Sequence, residues 1–91
     1  MMLTQKIKSI IEEHVPQAKA FVADPNADGQ HFEAIVVSAA FEGLPLVRQH
    51  QMVMNALKEQ FQEAVHALAL KTFTPEKWQE AKHQYNPEIL E

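Results

Sequence analysis

The segment of residues 45–61 constrains the fold most, because it separates two stretches with strand character by a stretch with helix character. Its apolar positions recur at three- and four-residue spacing, which indicates an amphipathic helix. One stripe comprises Leu46, His50, Val53 and Leu57, with Val47, Met54 and Phe61 beside it. Residues 31–38 precede this segment and residues 65–73 follow it. Two strands joined through a helix form a right-handed crossover and lie parallel, so the sequence predicts a parallel β-α-β unit.

The third strand of this unit, residues 65–73, shows the alternation of a half-buried strand. One face carries His66, Leu68, Leu70 and Thr72. A glycine lies in the turn before the central helix, and we expect Gly43 to adopt a positive φ that lets Phe41 tuck under that helix.

Two further elements precede this unit. Residues 4–15 have helical spacing, with Thr4 as the predicted N-cap and Pro16 as the stop. Residues 19–23 are a short candidate strand, and the turn-rich residues 24–29 connect it to residues 31–38. Because this connection is short, the first two strands are expected to pair as an antiparallel hairpin.

The residues Thr74-Pro75-Glu76 predict the start of a last helix, because they supply a hydroxyl cap followed by a proline and an acid in the first turn. We expect this helix to turn Trp78, Ala81 and Tyr85 inward and to end at Pro87, with residues 86–91 frayed. The predicted order is α-β-β-α-β-α in one domain covering residues 1–91. The fold class is therefore α+β with KH-like topology, a mixed three-stranded sheet packed with helices.

Composition narrows the classes of function. The 91 residues carry 46% hydrophobic and 22% charged residues, a net charge of −4 and no cysteine. Without cysteine the chain has no disulfide, no thiolate nucleophile and no all-cysteine metal site. No apolar run approaches the roughly 20 residues of a membrane helix, and the first residues lack the apolar core of a secretory signal. We therefore expect a cytoplasmic protein. Hydrolase, P-loop and dinucleotide motifs are missing, so we do not expect an enzyme.

Five histidines are the candidate metal ligands. His14 and His83 lie near predicted helix ends, where a cationic side chain interacts favourably with the helix dipole. His50 falls on the apolar stripe of the central helix, which favours a packed, hydrogen-bonded role. His31 and His66 each begin a strand, and two neighbouring parallel strands bring their starts to the same sheet end. From the residues alone these two are either surface histidines or convergent ligands.

Two stretches carry a family resemblance: residues 41–51, Phe-Glu-Gly-Leu-Pro-Leu-Val-Arg-Gln-His-Gln, and residues 66–78, His-Ala-Leu-Ala-Leu-Lys-Thr-Phe-Thr-Pro-Glu-Lys-Trp. In order and spacing they resemble the BolA family, and the resemblance extends from about Thr4 to Trp78. It implies the same α-β-β-α-β-α order. The family has a motif resembling Arg-His-Arg around the central histidine, whereas here Gln49 and Gln51 flank His50.

The resemblance also implies a function and its ligands. In BolA-like proteins a histidine that matches His66 ligates a 2Fe–2S cluster shared with a monothiol glutaredoxin. The second ligand comes from the loop between the first two strands, for which His31 is the candidate here. The thiolates would come from the glutaredoxin and glutathione, so this chain, a monomer or weak homodimer, would not hold the cluster alone. Because ligating imidazoles must be neutral, the site should weaken as pH falls through the histidine range.

Two other functions stay open. BolA-like proteins also act as transcriptional regulators, and a DNA-binding regulator of stress or cell-envelope genes would use Arg48, His50 and Lys58. However, Glu42 adjoins the Gly43 turn and Arg48 is the one arginine in an acidic chain, whereas binding through counterion release needs several cations. The third possibility is a protein-interaction domain without a cofactor.

Overall fold

The structure is a computed structural model that describes residues 3–24, 32–60 and 68–85. Helix α1 (Leu3–His14) leads into strands β1 (Ala18–Ala23) and β2 (Phe32–Ser38), and helix α2 (Leu46–Gln60) connects β2 to strand β3 (Leu68–Phe73). Helix α3 (Pro75–Ala81) follows β3 directly. Short 3-10 helices lie after β2 and after α3, at Ala39–Phe41 and Lys82–Gln84. The predicted order α-β-β-α-β-α is confirmed.

The sheet has three strands in the order β1-β2-β3. β1 pairs antiparallel with β2, with Ala20 opposite Val36. β2 pairs in parallel with β3, with Phe32 opposite Leu68. The antiparallel hairpin and the parallel crossover are therefore both confirmed, and β2 lies at the centre of the sheet.

Helices cover both faces of the sheet. On the first face, α1 and α2 pack over a core that includes Ile7, Ile10, Ile11, Val15, Ala20, Phe32, Val36, Phe41, Val53 and Leu57. On the second face, α3 lies over a smaller cluster of Phe21, Ile35, Val37 and Trp78, with Phe73 and Tyr85 against it. Phe21 and Trp78 stack with their ring centroids 5.6 Å apart. Because both faces of β2 are buried, its sequence is almost continuously apolar rather than alternating.

Two local predictions on the second half of the chain are confirmed. Gly43 has φ +79°, and the preceding Phe41 is fully buried. At the start of α3, Thr74 Oγ1 accepts a hydrogen bond of 3.3 Å from the backbone N–H of Lys77, with Pro75 next in the chain and Glu76 in the first turn. The positive φ of Gly43 and the cap at Thr74 are short-range features, which depend on residues close by in the sequence.

The predicted helix ends need three corrections. α1 begins at Leu3, so Thr4 lies inside the helix and is not its N-cap. α2 begins at Leu46, so Pro45 precedes the first helical residue, and its carbonyl accepts from the N–H groups of Arg48 and Gln49. α3 ends at Ala81 rather than at Pro87, because the chain tightens into a 3-10 turn. Pro87 and residues 86–91 lie outside the described residues.

The predicted apolar stripe of α2 is wrong in the first turn of the helix. Leu46 and Val47 are 60% and 62% exposed, whereas Val53 and Leu57 are buried. Phe41, from the 3-10 helix before α2, is part of the same core as Val53 and Leu57. Helical spacing identifies the side of α2 that faces the core, but not how far along the helix the core extends.

No helix in the described ranges combines the length and the apolar character needed to span a bilayer.

Candidate functional site

The predicted metal ligands, His31 and His66, precede β2 and β3 in the sequence. The parallel register sets Phe32 directly opposite Leu68. In the sequence, His31 immediately precedes Phe32, and His66 precedes Leu68 by two residues. Both histidines lie outside the residues that the structure describes.

This pair of strand starts is anchored in the core. Phe32 is 2% exposed and belongs to the first-face core, and Leu68 and Leu70 of β3 pack against the same core. Phe32 is more fully buried than these two leucines, and full burial of such a side chain stabilises a fold by about 1.5–3 kcal/mol. The shared core and the paired register therefore fix the relative position of Phe32 and Leu68, the first described residues of β2 and β3.

The other three histidines are described, and the structure does not bring them together. His14 is exposed at the C-terminal end of α1, and His83 is exposed in the 3-10 turn after α3. His50 is partly buried on α2. Within residues 3–24, 32–60 and 68–85, no group of three or more His, Cys, Asp or Glu side chains could hold a metal ion.

The predicted nucleic-acid residues all lie on α2. Arg48 and Lys58 are exposed, whereas His50 is partly buried. At about 100° per residue, Arg48 and His50 point roughly 160° apart around the helix axis, so these two do not form one face. A shallow groove of about 500 Å³ follows the outer side of the helix, lined by Leu44, Pro45, Arg48, Gln51, Met52 and Asn55. Arg48 is the one charged residue among these.

Gln49 has a structural role that the sequence analysis missed. Its side-chain amide donates to the carbonyl oxygens of Leu44 at 2.9 Å and Phe41 at 3.4 Å. Its carbonyl accepts a 2.8 Å hydrogen bond from Thr72 Oγ1 on β3. Gln49 therefore fastens the turn before α2 to the third strand, instead of facing solvent beside Arg48. A signal was present: Thr72 lies on the apolar face of a predicted strand, where a buried hydroxyl needs a partner.

Comparison with known proteins decides the family. A profile of the BolA family, whose members are BolA-like proteins, matches residues 3–77. The chain belongs to the BolA family. Over 77 residues it is 38% identical to BolA-like protein 2 of Mus musculus, covering 84% of this chain and 85% of that protein. It is 44% identical over 48 residues to the DNA-binding transcriptional regulator BolA of Haemophilus influenzae, covering 53% of this chain.

Solved BolA structures share this fold over most of the chain. A bolA protein homologue from Coxiella burnetii has a TM-score of 0.73 at 38% identity, covering 87% of this chain and 99% of that one. BolA1 from Arabidopsis thaliana has a TM-score of 0.69 at 26% identity, covering 81% and 93%. By contrast, the matches to the Haemophilus influenzae regulator and to BolA-like protein 1 of Bos taurus span 47% and 46% of those proteins. These names are those of regulators and BolA-like proteins rather than of enzymes.

Proposed function

We propose that this BolA-family protein is an adaptor that pairs with a monothiol glutaredoxin to bind or transfer a 2Fe–2S cluster, in iron homeostasis or iron–sulfur maturation. One observation carries the proposal. β2 and β3 are adjacent, parallel and level at Phe32 and Leu68, and His31 and His66 stand just before these two residues in the sequence. Histidines that precede neighbouring parallel strands at one end of a sheet can both ligate one metal centre.

The donor set of the chain fits half of such a cluster. A 2Fe–2S cluster takes four ligands, and two histidines can replace two cysteines on one iron. The chain has no cysteine, so it offers imidazole nitrogens and leaves the thiolates to a glutaredoxin cysteine and its glutathione. The bound cluster would supply one-electron chemistry. His66 and His31 would each hold it through a neutral ring nitrogen, and β2 and β3 would fix the spacing between them.

Anaerobic reconstitution tests the adaptor directly. The chain, a monothiol glutaredoxin and glutathione are combined with iron and sulfide, and visible absorbance is followed through size-exclusion chromatography. We expect absorbance that co-elutes with both chains, and none on this chain when the glutaredoxin is omitted. A complex that forms without visible absorbance would indicate that the chain is a protein-interaction domain without a cofactor. Absence of any complex would contradict the proposal.

A DNA-binding regulator is the second candidate, because relatives from Haemophilus influenzae and Vibrio cholerae are named DNA-binding transcriptional regulators. Arg48 and Lys58 are exposed on α2 and available to phosphates. The net charge of −4 opposes this role, since binding to phosphates grows with the number of cations that face them. Gel-shift titration at physiological salt separates this candidate from the adaptor.

A further inference from the structure

Within residues 3–24, 32–60 and 68–85, β1 is an edge strand of the sheet, because its one strand partner there is β2. The backbone groups on the other side of such a strand can pair with a strand from another molecule. In this chain α1 reaches over that edge with two charged side chains, Lys8 and Glu12.

These side chains occupy the backbone of Ala20. Lys8 Nζ donates to the carbonyl oxygen of Ala20 at 2.6 Å, and the N–H of Ala20 donates to Glu12 Oε2 at 2.9 Å. Lys8 Nζ also lies 3.0 Å from Glu12 Oε2, an ion pair within α1. One step along the edge, the N–H of Ala18 donates to the carbonyl of Val15 at 3.3 Å. Both backbone groups of Ala20, at the middle of the edge, and the N–H of Ala18 are therefore already hydrogen-bonded.

The sequence of α1 sets this arrangement. Ile7 and Ile11 are buried against the first face of the sheet, and Lys8 and Glu12 each follow one of them. Their spacing of four residues places them side by side on the helix surface, next to the edge of β1. Burial would raise the pKa of Glu12, but the hydrogen bonds from Ala20 and Lys8 and the charges of Lys8 and Lys19 lower the pKa on balance. The carboxylate therefore stays charged as an acceptor at neutral pH.

We propose that Lys8 and Glu12 form an edge lock, which keeps β1 from pairing with β1 of a second copy of this chain. The partner follows from the geometry of Ala20. In an antiparallel pair centred on this residue, each Ala20 would donate to and accept from the other, as in a two-fold interface. The strand is self-complementary, because Lys19 of one copy would lie opposite Phe21 of the other. Lys19 Nζ already lies 5.2 Å from the centre of the Phe21 ring within one chain.

The test removes both side chains in the variant Lys8→Ala/Glu12→Ala. Sedimentation equilibrium should show a concentration-dependent doubling of mass that wild type lacks. Hydrogen exchange of the Ala20 amide should slow as the concentration of that variant rises, because the antiparallel pair would use this N–H. A folded double variant that stays monomeric, or a dimer in which exchange of the Ala20 amide does not slow, would overturn the proposal.

Two milder variants keep the test decisive if the double variant fails to fold. Glu12→Gln retains a carbonyl acceptor for Ala20 and should remain monomeric. Glu12→Leu removes the acceptor and should dimerise measurably, with hydrogen exchange of the Ala20 amide slowing as concentration rises. Glu13→Leu, at the exposed neighbouring acid, is the matched control and should not dimerise. Equal behaviour of Glu12→Leu and Glu13→Leu would refute the edge lock.

Discussion

At the scale of single residues, Gln49 joins three separate parts of the fold: the turn at Phe41 and Leu44, helix α2 and strand β3. Gln49→Ala would leave the buried hydroxyl of Thr72 without its acceptor. We expect the free energy of unfolding to fall by about 1–3 kcal/mol, the cost of an unsatisfied buried polar group. Urea denaturation followed by circular dichroism measures it.

Two controls separate this effect from a general loss of α2. Gln51→Ala removes the same side chain from an exposed position on the same helix and should change stability by less than about 0.5 kcal/mol. Thr72→Val combined with Gln49→Ala should recover part of the loss, because both partners are then absent. A Gln49→Ala variant as stable as Gln51→Ala would show that the hydrogen-bond network contributes nothing.

Glu12 gives the second residue-scale prediction, and its sign follows from the lowered pKa. A carboxyl whose pKa is lower in the folded state adds stability above its unfolded pKa, about 4.3, and loses it as pH falls through the folded value. Wild type should therefore exceed Glu12→Gln in stability near neutral pH, and the difference should shrink as the solution is acidified below about pH 4. Glu13→Gln controls for the removal of one acid, and a difference independent of pH would contradict the assignment.

At the scale of elements, α3 depends on its first turn because it has only 7 residues. Thr74→Ala removes the hydroxyl that accepts from Lys77 N–H and should lower stability by about 1 kcal/mol. Thr4→Ala is the matched control, since Thr4 lies inside α1 rather than at its N-cap. Thermal unfolding of the two variants compares them, and an equal shift in both would mean that the cap at Thr74 is not decisive.

The elements that the sequence predicted correctly are those with local signals. Thr74-Pro75 and Gly43 fix a helix start and a turn through their own chemistry, and the parallel pairing of β2 and β3 follows from the length of the helix between them. Leu46 and Val47 were misassigned because their exposure depends on where the core ends, which Phe41 decides from another segment. The hydrogen bond between Gln49 and Thr72 spans 23 residues. The strand pattern indicates that the hydroxyl of Thr72 needs a partner, but no local pattern identifies Gln49 as that partner.

For the candidate site, only the pairing of the two strands next to it was predictable from the sequence. Sequence reasoning placed His31 and His66 at the beginnings of two parallel strands, and the structure confirms that β2 and β3 are parallel neighbours, with Phe32 opposite Leu68. The ligand roles of the two histidines stay predictions, because both lie outside the described residues. The edge lock of Lys8 and Glu12 was not predictable, since α1 had to be placed over β1 before the partner of these side chains could be known.

At the scale of the whole molecule, net charge governs the choice between the two candidate functions. With a charge of −4, the isolated chain should bind DNA weakly, because few cations can displace counterions from phosphate. We expect no sequence-selective complex as tight as about 10⁻⁸ M at physiological salt, the weaker end of specific binders. A gel shift in that range would favour the regulator, and its loss in Arg48→Ala would locate the contact on α2.

The central claim is that this chain supplies histidine ligands to a shared 2Fe–2S cluster, and visible absorbance of the reconstituted glutaredoxin complex tests it most directly. His66→Ala should abolish or bleach the cluster spectrum while circular dichroism shows an unchanged fold, and His31→Ala should cause a milder change. His14→Ala and His83→Ala, at exposed positions at or just beyond helix ends, should leave the spectrum intact. A folded His66→Ala complex with the wild-type spectrum would contradict the account.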